Sequence, residues 1–394
     1  MRLDLTPEEH IHLEFHLYSD LIHSILFTIP SQFFTCLTSI SRPVAQTKLP
    51  GGLPPPFSKM AVIPFNVPTI DISPYLLDPS SPESLVIIEE VKTACTGTGF
   101  FQLIGHGISL SLQERVFSAS EKLFSLPMSE KLKLDRSKSI GASNRGYELI
   151  GGQGLQEGTL PDLKEGFYVG QDIPADDPRV KERNAFLMGP NLWPDSSLIP
   201  ESDFKDPCSE YFATMFTLSL KVMEVIAAGM PYGPNVFDEF CSNDAVSSIR
   251  LLHYPPDKSN DERQLGAGAH TDFGAITLLL QDGTGGLQVW DEKGERWVDV
   301  TPNRDAYVVN VGDMLQMWTS GRYKSSLHRV LNRSGRDRYS VPFFFDGNVD
   351  CVLSPLDGSE REGGSLTVEE HMRERFGSTY GRGKKREGEE NFKS

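Results

Sequence analysis

The sharpest chemical pattern lies late in the chain, at His270-Thr-Asp272. Along an extended backbone, positions i and i+2 point to the same side, so an imidazole and a carboxylate so spaced can converge on one cation. His328, 56 residues beyond Asp272 in Ser-Leu-His-Arg-Val, offers a third ligand. Two histidines and a carboxylate form a facial triad, which leaves three positions open on a six-coordinate metal. Taken alone, His-x-Asp also suits a surface strand whose aspartate caps the next turn. Ten residues after His328 comes Arg338-Tyr-Ser340. Alternation puts Arg338 and Ser340 on one strand face, where a planar guanidinium and a hydroxyl suit a carboxylate ligand. Beside Val341 and Phe343–Phe345, an inward arginine would be a buried charge without compensation. A dianionic ligand would supply the counter-charge.

Such groups need a rigid frame. After about residue 245 the chain turns to short apolar runs: Ser247–Tyr254, Ala275–Gln281, Leu287–Asp291, Trp297–Val300, Ala306–Val311, Leu327–Leu331 and Tyr339–Asp346. Gly, Asp, Asn and Pro clusters separate them, as in an all-β sandwich or barrel. Gly283-Thr-Gly-Gly286 and Lys293-Gly294 mark reversals. Upstream, apolar periodicity predicts helices over Leu85–Thr98, Leu110–Leu126 and Asp206–Tyr232, with a buried strand at Gly99–Ile104. Residues 136–205, rich in Gly, Pro, Asp and Asn, read as loop-dominated. No G-x-G-x-x-G follows a strand, so a dinucleotide fold is not encoded.

The order His-Thr-Asp, His-Arg-Val, Arg-x-Ser resembles the iron(II)- and 2-oxoglutarate-dependent dioxygenases of the isopenicillin-N-synthase-like superfamily. Val67-Pro-Thr-Ile-Asp-Ile-Ser and Gly99-Phe-Phe-Gln-Leu-Ile-Gly-His-Gly-Ile108 resemble that family's N-terminal region. Val309-Asn-Val-Gly-Asp-Met-Leu-Gln316 and Tyr323-Lys-Ser-Ser-Leu-His-Arg-Val330 resemble the segment leading into its second histidine. The likeness runs from about residue 62 to 380. It implies an α+β, mainly β fold, with a double-stranded β-helix (jelly-roll) core and flanking N-terminal helices. It further implies that His270, Asp272 and His328 hold catalytic Fe(II), and that Arg338 and Ser340 bind the distal carboxylate of 2-oxoglutarate. Tyr254 aligns with a tyrosine that contacts this co-substrate; the family's Asn-Tyr-Tyr-Pro reads Leu252-His-Tyr-Pro here, so the asparagine contact is absent. Ascorbate is a further candidate cofactor. The implied reaction hydroxylates or desaturates a small organic molecule of secondary metabolism, consuming dioxygen and releasing succinate and carbon dioxide. Two other readings stay open: an Fe(II) oxidase of the same fold that does not use 2-oxoglutarate, and a non-catalytic β-barrel binding module.

Asn144-Arg-Gly-Tyr147, Glu165-Gly-Phe-Tyr168 and Phe345 are candidates for the substrate lining. Their alternative is ordinary packing, with Arg145 and Glu165 paired at the surface. His253 should point away from Tyr254 and, like His106 in its Gly-His-Gly turn, reads as structural. His371, on a charged terminal helix, reads as solvated. The 394 residues carry 54 acidic and 38 basic side chains, a formal charge of −16, with no basic patch beyond Lys384-Lys385-Arg386. That field argues against nucleic acid or membrane partners. Five scattered cysteines without a C-x-x-C pair fit buried thiols in a reducing, cytoplasmic setting. A monomer is expected.

Residues 1–59 read as a dispensable extension, disordered or outside the domain. Its apolar run Leu21–Ser41 is too interrupted to span a membrane, and Asp4, Glu8, Glu9 and Glu14 do not suit a targeting leader. His12 and His16 could share a helical face, but no third ligand is placed beside them. Residues 60–205 then form the N-terminal region with its loop-rich middle. Residues 206–380 form the long helix and jelly-roll catalytic core, and 381–394 a charged tail.

Overall fold

Alternation of side chains along the strands organises this protein around two facing layers. The structure, a computed structural model, describes residues 65–389 apart from positions 243, 260 and 362. Expectations for residues 1–59, including His12 and His16, lie outside the described residues. In chain order the strands are β1 (Thr69–Asp71), β2 (Phe100–Ile104), β3 (Gly146–Glu148), β4 (Glu165–Gly170), β5 (Ala245–Tyr254) and β6 (Ala267–His270). They continue as β7 (Ile276–Gln281), β8 (Leu287–Asp291), β9 (Arg296–Asp299), β10 (Tyr307–Val311), β11 (His328–Val330) and β12 (Arg338–Asn348). The large sheet has the order β1-β2-β10-β7-β12-β5-β4-β3 and the small one β6-β11-β8-β9, while the short strands Val352–Leu353 and Leu366–Thr367 pair as a separate ribbon. Among the described strands, β1 and β2 are the one pair that runs parallel. This is the expected jelly-roll core.

Alternate positions of the large sheet, Arg250, Leu252 and Tyr254 on β5, Thr277 and Leu279 on β7, and Ser340, Pro342 and Phe344 on β12, line a cavity that β6, β8 and β11 of the small sheet also wall. The intervening residues, among them Ile249, Leu251, Leu278, Leu280, Val341, Phe343 and Phe345, join the other core. There the helix Lys205–Ala228 packs against the sheet, with the Phe212 ring 5.7 Å from Phe343 and Phe216 5.8 Å from Phe345. By length and composition that helix could cross a membrane. Its buried Tyr211, Met215, Leu218, Val222 and Ile226 recur at helical spacing, which makes it a core helix here.

Several boundaries moved for identifiable reasons. The helix expected from Leu85 starts at Pro82, because Ser81 caps it by accepting from the Ser84 N–H. The region 136–205 is not loop alone: β3 and β4 complete one edge of the large sheet, and every residue of β4 is buried. Glu-Gly-Phe-Tyr-Val-Gly lacks a strand's apolar alternation, so pairing with β5 rather than local pattern sets it there. The β7–β8 reversal uses Gly286 at φ +88°, where a β-carbon would lie 1.9 Å from the Leu331 carbonyl oxygen. The terminal helix Val368–Glu389 runs into the segment read as a charged tail. Cys95, Cys208, Cys241 and Cys351 are free thiols, three of them buried as expected and Cys241 half-buried.

Candidate active site

His270 ends β6 and His328 opens β11, and the two are paired directly across the strands. Their rings lie 4.2 Å apart. Asp272 sits two residues beyond the end of β6, outside the strand that alternation presumed, yet its carboxylate still turns to the same side. Ligand atoms of the three residues all lie within 4.8 Å of one another. Asp272 Oδ1 is 3.8 Å from His270 Nε2 and 3.6 Å from His328 Nε2. Its other oxygen, Oδ2, accepts from Thr277 Oγ1 at 2.5 Å and from Asn310 Nδ2 at 2.8 Å. Thr277 on β7 and Asn310 on β10 are themselves cross-strand partners, so the sheet register places both donors.

Each imidazole has its Nδ1 against a backbone carbonyl: Gly268 O at 2.7 Å for His270 and Ser326 O at 3.2 Å for His328. Donation from Nδ1 leaves the Nε2 lone pair free to face the Asp272 oxygen. Burial, reinforced by His328, pushes His270 down to about 3, so it is neutral. Burial opposes ionisation of Asp272, but His328, His270 and the two hydrogen bonds outweigh it and hold the carboxyl below its ordinary value. Two imidazoles and one carboxylate are the donor set of a non-haem Fe(II) site with open positions. The residues fit that metal.

Arg338 is fully buried. It donates from Nε to Gly285 O at 2.6 Å, from Nη1 to Ser340 Oγ at 3.3 Å and from Nη2 to Gln281 Oε1 at 2.9 Å. Its guanidinium carbon lies 4.8 Å from the Tyr254 ring centre. Every one of these partners is neutral, so a buried cation faces the cavity with no acidic side chain bonded to it. That cavity brings Arg338, Ser340 and Tyr254 together with His270, Asp272 and His328, the six residues singled out from the sequence. Lys164 also lines it, bonded to the Asp162 carboxylate, and burial pushes its pKa down.

A second lobe shares Leu155, Arg250, His270, Asp272 and Phe344 with the first. It adds Tyr168, Ser248, Phe273, Asp346 and Met372. Of the lining candidates, Tyr168 is in place and the others are not. Phe345 falls on the odd, helix-facing side of β12, and Phe344 lines the lobe instead. Tyr147 and Phe167 are core residues. Arg145 and Glu165 are both buried and do not pair. Arg145 donates to the carbonyls of Ser143 and Leu187, each at 2.7 Å. Glu165 accepts from Lys131 Nζ at 2.7 Å and Tyr147 OH at 2.6 Å, and meets His253 Nδ1 at 2.8 Å. His253 is structural as expected, and so is His106, whose Nδ1 accepts from the Ile108 N–H at 3.1 Å.

His371 is not solvated. It is 7% exposed, with Nε2 2.9 Å from the Phe273 carbonyl oxygen, in the loop that follows Asp272. Its helix is charged on average, but Val368, His371 and Met372 form a buried face that composition does not reveal. Sequence reasoning also passed over Thr277, Asn310, Gln281, Lys164, Arg250, Phe344 and Asp346. Parity carried onward from Arg338 and Ser340 reaches Phe344 and Asp346, and carried back from Tyr254 reaches Arg250. Asn310 was visible as the one polar residue in Tyr-Val-Val-Asn-Val.

A profile described as the N-terminal region of non-haem dioxygenases in morphine synthesis matches residues 67–196, and the 2OG-Fe(II) oxygenase superfamily profile matches residues 245–347. Among curated proteins, the chain is 53% identical over 322 residues to the 2-oxoglutarate-dependent dioxygenase citB of Monascus ruber, covering 80% of this chain and 96% of that protein. It is 45% identical over 329 residues to the clavatol oxidase claD of Penicillium crustosum, covering 80% and 97%. Among solved structures, a full-length Neurospora crassa protein crystallised in complex with alpha-KG and thymine aligns with a TM-score of 0.67 at 29% identity, covering 79% of this chain and 96% of that one. The chain therefore belongs to the 2OG-Fe(II) oxygenase superfamily, and it is an oxidoreductase that uses Fe(II), 2-oxoglutarate and dioxygen to oxidise a small organic molecule.

Proposed function

We propose that His270, Asp272 and His328 are the protein ligands of Fe(II), that Arg338, Ser340 and Tyr254 bind the distal carboxylate of 2-oxoglutarate, and that substrate occupies the lobe beside Tyr168 and Phe344. The observation that carries this reading is the split role of Asp272, with one oxygen held by Thr277 and Asn310 and the other aimed between two Nε2 atoms. Bound Fe(II) supplies the redox chemistry that couples decarboxylation of 2-oxoglutarate to substrate oxidation. The chain's part is to position and to shelter. His270 and His328 present lone pairs fixed by their carbonyl partners, and Asp272 presents a single oxygen. Arg338 offers a planar fork to a carboxylate, with the Ser340 hydroxyl beside it. Phe100, Leu252, Leu279 and Val330 line the same cavity and exclude water.

Replacing His270, Asp272 or His328 with Ala should abolish Fe(II) binding and succinate release while the fold persists. An H328A protein that retains stoichiometric iron and full succinate production would refute the ligand set. We take the substrate to be a secondary metabolite that is hydroxylated or desaturated. A succinate-release screen over secondary-metabolite and nitrogen-heterocycle libraries tests this, with product mass separating the two outcomes; no turnover across the metabolite set would refute it.

We further propose a catalytic unit that begins near residue 60 and works as a cytoplasmic monomer without nucleic acid or membrane. A family match starting at residue 67, the charge of −16 and the free thiols support this. A chain starting at Met60 that loses solubility or turnover, or that scatters light as a dimer, would overturn it.

A further inference from the structure

Asp346 stands out among the residues that the active-site chemistry does not use. It lies on β12 at the even, cavity-facing parity of Ser340 and Phe344, and it lines the second lobe while being only 2% exposed. No hydrogen bond or ion pair engages its carboxyl among the described residues, and the like charge of Asp272 acts on it. The loop after Asp272 seats tightly against it: a methyl group at Gly274 would lie 2.2 Å from Asp346 Oδ1. A buried carboxyl without a donor, set beside another carboxylate, destabilises the fold. Its missing partner must come from the cavity. Aromatic or soft side chains, Tyr168, Phe273, Phe344 and Met372, wall that lobe beside the polar Gln153, Ser248 and Arg250. Such walls fit the faces of a flat, unsaturated molecule.

We infer that Asp346 is a specificity-determining residue, whose carboxyl accepts a hydrogen bond from an O–H or N–H group on a planar aromatic substrate. The inference rests on the proposed placement of Fe(II), 2-oxoglutarate and substrate, and it adds what the substrate must carry. The metal and co-substrate need only the first lobe, so loss of Asp346 should leave both bound.

Matched probes test this on the full chain, loaded anaerobically with Fe(II) and 2-oxoglutarate and titrated by calorimetry. Orcinol and its dimethyl ether supply an O–H pair; thymine and 1,3-dimethylthymine supply an N–H pair. The unmodified enzyme should bind one donor-bearing probe at least about tenfold more tightly than its methylated partner, as for a hydrogen bond to a charged group. In Asp346→Ala that ratio should fall to about one, while Fe(II) and 2-oxoglutarate affinities stay unchanged. Asp346→Asn, close to isosteric, should melt no lower than the parent, because the carboxyl it removes has no partner in the fold. Equal binding of both members of each pair, binding of neither, or a preference that survives Asp346→Ala would each overturn the inference. So would a lowered melting temperature in Asp346→Asn, which would make the carboxyl a structural group. Failure of the underlying reading looks different: the unmodified enzyme would then show no Fe(II)-dependent 2-oxoglutarate binding at all.

Discussion

Replacing Arg338 with Met removes the guanidinium but keeps an apolar stem in the same space. Three hydrogen bonds to neutral acceptors disappear, and each contributes about 1 kcal/mol net. Against this, a buried charge with no acidic partner is also gone, and its desolvation penalty is several kcal/mol. The two effects nearly cancel, so the ligand-free protein should change in stability by no more than about 2 kcal/mol. Ligand binding has no such compensation. Truncating one member of a buried charge pair costs about 2–5 kcal/mol, and about 2.7 kcal/mol corresponds to a hundredfold loss of affinity. The assay is anaerobic thermal melting of the Fe(II)-loaded protein with and without 2-oxoglutarate. At a ligand concentration about 100 times the parent dissociation constant, binding stabilises the parent by about 2.7 kcal/mol. A hundredfold weaker variant sits at a ratio near one and gains only about 0.4 kcal/mol. At about 2 °C per kcal/mol for a unit of this size, the ligand-induced shift should fall from about 5 °C to about 1 °C. Arg338→Lys should land between them, since it keeps the charge and loses the fork. An Arg338→Met protein that keeps the parent's full shift would refute the assigned role of this residue.

Thr277→Val together with Asn310→Leu frees Asp272 Oδ2, and Fe(II) affinity should fall about 10- to 100-fold with the fold intact; unchanged anaerobic iron titrations would show that these donors do not orient the ligand. Phe345→Ala should lose about 3–5 kcal/mol of stability as a core truncation, whereas Phe344→Ala should alter KM or product pattern at a much smaller stability cost; the reverse ranking in urea unfolding would contradict the face assignment. His253 meets Glu165 Oε1 at 2.8 Å and Asp337 Oδ1 at 2.9 Å, so both ring nitrogens face carboxylates. Burial alone would lower its pKa, but these partners outweigh it and raise the value above 6.5. The protonated ring therefore stabilises the fold fully below 6.5, and that contribution is lost as pH rises through the raised native value. Glu165 is held below 4.5 by His253, Lys131 and Tyr147 despite its burial, so its contribution is lost only on strong acidification. The stability lost on His253→Gln should thus be largest at about pH 5–6.5 and shrink by about pH 9, and a flat difference would refute the pairing.

The parts of the site that could be read in advance are those set by spacing along one strand. Arg338 and Ser340 share a face because the pleat repeats every two residues, and the structure keeps them 3.3 Å apart. The same rule, followed three further steps, would have chosen Phe344 over Phe345 and reached Asp346. What spacing could not supply was pairing between distant segments. The short strand Glu165–Gly170 exists because β5 offers it an edge, and its own composition argues against it. His371 is buried because a helix some 100 residues downstream packs on the loop after His270, a contact invisible in that helix's charge count.

Residue types and local periodicity by themselves pointed to the His270–Asp272 pair, the Arg338–Ser340 pair and the mainly β frame, because each depends on neighbours within a few residues. The tertiary structure alone decided that His270 and His328 face each other across β6 and β11, which oxygen of Asp272 is tied back by Thr277 and Asn310, and which carboxyl is left unpartnered in the second lobe. Those outcomes rest on sheet register, which joins segments tens of residues apart through backbone hydrogen bonds carrying no side-chain signature.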